Sequence, residues 1–277
     1  MSVLASACLN LDDAASLTTM ADRARQTLPA VAKDWPASCE RFNALVRDIP
    51  ESERPPTLQP RDCAPYAAVA ARVLKDQAVL IAYFDALGRL ASNQLFTFDA
   101  AIDTDVTAIG ALGASQNVAS AATAAEKIGK ALADVVSQGY RSHEVNSLIV
   151  NNDDAVRALA DALRSIETKD YALVLANEAD ATKAFYESPL EAAAASKSER
   201  LVMVVAQRQY AGDRLALASR KTAADQYGIA MEKLGALHAK LKDEITRKAS
   251  LKETAAAIGP YVSGVADAVG AIRQEIK

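Results

Sequence analysis

Apolar residues recur at three- and four-residue spacing along most of this chain, the rhythm of amphipathic helices rather than strands. Residues 12–34 carry Leu17, Met20, Ala24, Leu28 and Val31 on one face, with Pro29 placed to bend the helix. A second, short helix is predicted over 36–48, opened by Trp35-Pro36 with proline in the first turn, and carrying Cys39, Phe42 and Val46 on one side. Prolines at 50, 55 and 56 keep the stretch 49–64 from being helical throughout. Residues 66–92 form the next predicted helix, its stripe made by Val69, Val73, Leu80, Phe84, Leu87 and Leu90.

After an interruption at Asn93-Gln94, helical spacing resumes from about 98 to 112. It weakens over 113–116 and runs again over 117–138 up to Gly139, a helix stop. Residues 143–187 repeat Leu148, Asn152, Ala155, Leu159, Ala162, Ile166, Asp170, Leu173 and Asn177, with Ser188-Pro189 as a break. Residues 190–246 continue with Leu201, Val204, Ala211, Leu215, Ala218, Leu234, Leu237, Leu241 and Ile245, and a last helix covers about 250–275, bent at Gly259-Pro260. No segment alternates as a strand does. The expected fold is therefore all-α: an elongated antiparallel bundle of long, coiled-coil-like helices with a small N-terminal helical subregion. Helices of some 45–55 residues would be roughly 70–80 Å long. Residues 1–11 read as a signal or anchor remnant, 12–277 as one elongated domain, and 12–65 as its disulfide-clipped N-terminal helices.

Composition sharpens the picture. Hydrophobic residues make up 51% of the 277 and aromatics 5%, so alanine, leucine and valine supply the apolar content and favour thin, closely packed helices. Charge is distributed unevenly: residues 144–191 hold ten acidic and four basic side chains, whereas 197–252 hold six acidic and twelve basic. Two antiparallel neighbours of opposite sign would pair across a shared seam, selecting register more than adding stability. The overall charge of −4 offers no general attraction to nucleic acid. The uncharged segment 106–125 is rich in small and polar residues and reads as tightly packed bundle, with a membrane-active segment as the alternative.

The three cysteines divide. Cys39 and Cys63 bracket the proline-rich loop, and a bridge between them would stabilise by about 3 kcal/mol in the chain-entropy model. Two buried thiols or a metal pair are the alternatives, and the two histidines, His143 and His238, lie far away. Cys8 ends the run Leu4-Ala5-Ser6-Ala7-Cys8, whose small residues suit a signal peptidase. This run resembles the lipobox of bacterial envelope lipoproteins, with Ala5 where that family usually has leucine. The resemblance implies acylation of Cys8 and, with Leu9 rather than aspartate following, a periplasmic chain anchored to the outer membrane.

Motifs for chemistry are sparse. There is no histidine pair at metalloprotease spacing, no phosphate loop ending in lysine and no nucleophile elbow. Asp99, Asp103 and Asp105 lack the glycine and glutamate of a calcium loop, and Asn151-Asn152-Asp153-Asp154 reads as a polar helix face. Neither a cofactor nor a metal is expected. The aromatics Tyr83, Phe84, Phe96 and Phe98 read either as the thickest part of the core or, with Glu51 and Glu53 of the loop, as a partner-binding patch. The expected function is that of a non-enzymatic envelope protein whose partners are another protein and, through the lipid on Cys8, the membrane. A pore-forming protein using 106–125 is the alternative.

Overall fold

Every regular element among the described residues is a helix. The computed structural model describes residues 11–92, 94, 96–98, 115–137, 144–194 and 200–276. The helices are α1 (Leu11–Thr27), α2 (Pro29–Asp48), α3 (Ala64–Ala91), α4 (Ser115–Ser137), α5 (Glu144–Ser165), α6 (Tyr171–Ala194), α7 (Arg200–Thr246) and α8 (Leu251–Glu275), with a π turn, Ile166–Asp170, joining α5 to α6. Helix α7, at 47 residues, is about 70 Å long. It packs on α5, α6 and α8, while α3 packs on α1, α2, α4 and α5. The fold is an all-α bundle.

The predicted stripes of α1 and α3 are buried in full. Pro29 breaks the first helix instead of bending it. Lacking an N–H, it cannot continue the ladder of α1, and it restarts the chain as the first residue of α2. Pro36 is therefore not a helix start but lies inside α2, where its missing hydrogen bond is offset by burial of Trp35 and Val31 on the same helix. Ser188-Pro189 is likewise no break, since α6 runs through both to Ala194. Helix α8 passes through Gly259-Pro260, opened by a reciprocal cap in which the Ser250 hydroxyl accepts from the Glu253 backbone and Glu253 accepts from Ser250.

The largest departure from the periodic reading begins at the π turn. A π turn holds one more residue than the α turn it replaces, which rotates everything downstream by about a quarter turn. The expected inward positions Leu173 and Asn177 are thus displaced by their neighbours Val174 and Glu178. Leu173 is 66% exposed and Glu178 is buried. The bulge also crowds α7. A Cβ on Gly228 would lie 2.4 Å from Cγ2 of Thr168, so the backbone of α7 meets the π turn where a side chain would not fit.

Cys39 and Cys63 are joined by a disulfide, with Cα atoms 5.7 Å apart. The bond links the middle of α2, rather than its beginning, to the residue capping α3. Around it the loop 49–63 is pinned. The Asn43 side chain accepts from the backbone N–H of Arg61 and donates to its carbonyl, both at 2.8 Å. The Arg61 guanidinium lies 4.4 Å over the Phe42 ring. Leu58 closes a small second core with Phe42, Val46, Ile49 and Ala181.

Candidate functional site

The residues singled out in the sequence scatter. Glu51 and Glu53 are exposed in a turn of the pinned loop, where the Glu53 N–H donates to Pro50. Tyr83 and Phe84 are 0% and 1% exposed, in the main core, so they cannot contribute to a surface patch. Burial on α3 between α1, α4 and α5 is the physical reason. Phe96 and Phe98 are half-buried, stacked 6.3 Å apart against that core. Cys8, Asp99, Asp103, Asp105, His143 and the first part of segment 106–125 lie outside the described residues. The rest of that segment opens α4 and buries Val118, Ala121 and Ala125.

Two polar clusters sit inside the bundle. In the first, Asp153 of α5 faces His238 of α7 at 3.1 Å through Nδ1, and His238 Nε2 meets the Tyr83 hydroxyl at 2.8 Å. Burial opposes ionisation of Asp153, but hydrogen bonds from Lys242 and His238, with the charge of Arg157, outweigh it and hold the carboxyl low. Burial also pushes His238 down, against the pull of Asp153, and pushes Tyr83 well up. A carboxylate, an imidazole and a hydroxyl in line suit proton transfer in principle. Here all three side chains are sealed, and none lines the clefts described below. Their chemistry is that of a satisfied core network.

The second cluster joins α2, α6 and α7. Glu178 accepts from Arg41 at 2.7 Å, from Arg220 at 2.7 Å and from the Ser38 hydroxyl at 2.6 Å. Asp34 accepts two bonds from Arg41 and one from the Tyr171 hydroxyl. Beside it, Glu167 of the π turn is completely buried. One of its oxygens accepts from the Trp35 indole N–H at 3.1 Å, and the other has no partner. Burial, with the charges of Asp170 and Asp34 adding to it, pushes this carboxyl up to about 8, against the hydrogen bond from Trp35. At neutral pH it is an uncharged acid. The two carboxylates and two guanidiniums of the cluster balance, so it presents no surplus charge to a ligand. The opposite charges expected for the two central helices meet here and at Asp153–Lys242, 2.8 Å.

Among the described residues, the first third of α7 exposes the longest apolar run. Leu201, Val204, Ala211, Leu215 and Ala218, expected at the seam, all face solvent, and the buried seam begins only at Leu217. Leu201 is 77%, Val202 67% and Leu215 69% exposed. The side of this segment turned to α6 is held by Tyr210 stacked on Tyr186 at 5.1 Å and by the Tyr186 hydroxyl donating to Asp213 at 2.8 Å. Lower down, Gly212, Leu215, Ala216, Ser219 and Ala223 line a cleft of about 430 Å³ with Ala30, Val31 and Asp34 of α2 and Ile276 beyond α8. The sequence did carry a signal: Leu201 to Ala206 are six consecutive apolar residues, which wrap every side of a helix. A helix apolar all round needs cover on all sides. Comparison with family models, curated proteins and solved structures finds no match for this chain.

Proposed function

We propose that this chain is a non-enzymatic protein of the bacterial envelope that presents a helical bundle to another protein. The observation carrying the reading is the apolar run Leu201–Val205 on α7, which no described residue covers, because a stable fold does not leave such residues in water without use. The Cys39–Cys63 bond supports an oxidising compartment. The lipobox-like run ending in Cys8 supports acylation and an outer-membrane anchor. The Asp153–His238–Tyr83 network supports the non-enzymatic part, since its carboxylate, imidazole and hydroxyl are buried and engage one another. The role would be that of an immunity protein, inhibitor, adaptor or assembly factor, and it needs neither cofactor nor nucleic acid.

Photo-crosslinkers placed at Val202, at Glu53 and at Leu173, an exposed residue of α6 outside the proposed surface, test the reading in the native envelope. A discrete adduct from Val202 or Glu53 but not from Leu173 is the expected result. Adducts from none of the three, or equal non-specific labelling by all, would refute it. Mass spectrometry of the native N-terminus checks the anchor: an unmodified Cys8 behind a free Met1 removes the lipoprotein part.

A second reading, membrane activity, is favoured by one observation. Residues Glu253–Glu275 of α8 are long and apolar enough to cross a membrane by length and composition, with 28% of their most apolar window buried. Liposome leakage at micromolar protein would support it, and intact liposomes would dispose of it.

A further inference from the structure

The Cys39–Cys63 bond joins two sulfurs in unlike surroundings. Cys39 is 3% exposed and belongs to the main core. Cys63 packs against that core but keeps part of its surface in solvent. Its Sγ accepts a hydrogen bond from the Asn43 amide at 3.2 Å. The charged residues next to it in the chain are already engaged: Arg61 lies over the Phe42 ring and reaches Asn177, and Asp62 accepts from the Ala64 N–H at 2.9 Å.

These surroundings decide how the bond can be exchanged. In thiol–disulfide exchange a thiolate attacks one sulfur and expels the other as a thiolate. The folded chain offers an external nucleophile only Cys63, because Cys39 is enclosed. Attack there expels Cys39 into apolar surroundings, where burial raises the pKa of a thiol and makes it a slow leaving group. Attack at Cys39 would expel the better leaving group, Cys63 with its amide donor, but that sulfur has no approach. The accessible route is thus the slow one.

The loop does not depend on the bond alone to keep its place. Asn43 holds the backbone of Arg61 in both directions at 2.8 Å, and the Arg61 guanidinium donates to Asn177 of α6 at 3.2 Å. These contacts keep Cys63 beside Cys39 once the sulfurs part. The Cys39 thiol then meets any mixed disulfide on Cys63 at high effective concentration.

We propose that Cys63 is the sulfur through which this chain exchanges with external thiols and disulfides, and that Cys39 is the resolving thiol that closes the bond again. In reduction, an external thiolate bonds to Cys63 Sγ, the Sγ–Sγ bond breaks, and Cys39 leaves as a thiolate and takes up a proton. A second external thiolate attacks the first at its sulfur, releasing the external disulfide and the Cys63 thiolate, so two thiols supply the two electrons. Oxidation by an external disulfide runs in reverse: the Cys63 thiolate takes one half and expels the other, and the Cys39 thiolate then displaces the half that was bound. This exchange goes beyond the protein-binding reading and does not rest on it.

The test uses the full chain with glutathione as the probe, an acid quench and peptide mapping, which counts Cys8 apart. Reduced glutathione at 10 mM should place its adduct on Cys63 of the folded parent and none on Cys39. Oxidised glutathione should modify Cys63 of Cys39→Ser at least tenfold faster than Cys39 of Cys63→Ser, with circular dichroism showing both variants helical. In 6 M guanidinium that difference should vanish, and the parent's bond should be reduced at least tenfold faster than in the folded chain. A parent adduct on Cys39 or on neither cysteine, equal rates in the two folded variants, or a difference that persists in guanidinium would each overturn the proposal. The parent measurement decides alone if either variant fails to fold.

Discussion

Replacing Glu167 by glutamine isolates the energetic consequence of an acid with no solvent and one unpartnered oxygen. In the unfolded chain this carboxyl titrates near 4.5, and in the bundle it is pushed up to about 8. The folded state holds the proton more tightly, so stability falls as pH rises through that interval. At 1.36 kcal/mol per unit, the full difference is about 4–5 kcal/mol, and roughly 2 kcal/mol of it is lost between pH 6 and pH 8. Glutamine keeps an acceptor for the Trp35 indole and sets an amide N–H₂ where the protonated acid carries its O–H, adding one unpartnered donor at a cost of about 1–3 kcal/mol that does not change with pH. The informative quantity is therefore the slope and not the level. Urea unfolding at pH 6, 7 and 8, followed through the fluorescence of Trp35, reports both stability and the local environment, since Trp35 is the chain's single tryptophan. The gap between variant and parent should move in favour of Glu167→Gln by roughly 2 kcal/mol across those two pH units. Parallel curves would refute the reasoning, and would mean that water or a rearranged donor reaches the free oxygen.

Three further expectations follow from the packing. Gly228→Ala should destabilise by about 1–3 kcal/mol through its clash with Thr168 Cγ2, and Thr168→Ser, which removes that methyl group, should recover most of the loss in the double variant; a purely additive pair would exclude the contact as the cause. Cys39→Ser with Cys63→Ser should cost about 3 kcal/mol in urea unfolding yet leave the helical circular dichroism in place, because the bond closes only the loop between α2 and α3 and the helices on either side keep their own packing. His238→Leu should cost about 1–3 kcal/mol by stranding one oxygen of Asp153 in the core, while the Tyr83 hydroxyl keeps its bond to the Leu148 carbonyl, and a thermal midpoint within a degree of the parent would show that water replaces the imidazole.

Much of the bundle was legible in the spacing of apolar residues, and the stripes of α1 and α3 are those the periodicity names. Legibility failed where a rule about one element met its neighbour. Pro29 and Pro36 are equally good helix openers by local chemistry, and only the burial of Val31 and Trp35 between them decides that the helix starts at the first. The π turn is invisible to a periodic reading because the sequence on either side fits an α-helix, and its signature is the loss of phase at Leu173. On α7 the pattern places Leu234, Leu237 and Leu241 in the core as they are found, but it also assigns Leu201, Val204, Ala211, Leu215 and Ala218 to a seam where they face solvent, because apolar spacing does not say where packing partners run out. Of the partner patch, Glu51 and Glu53 were placed on the surface because proline and charge keep a loop there, whereas Tyr83 and Phe84 show that an aromatic cluster reads the same whether it faces inward or outward.

The surplus residue at Ile166–Asp170 has a lasting effect on how this protein can vary. It lets one uninterrupted rod from Glu144 to Ala194 pack on α4 and α7 in its first half and on α2 and α7 in its second. Dropping a single position between Ser165 and Tyr171 would swing Leu173 inward and carry Glu178 away from Arg41, Ser38 and Arg220, so the N-terminal helices would lose their hold while the rod itself stayed straight. Length changes in this stretch are thus tolerable only in steps that restore the same angular setting.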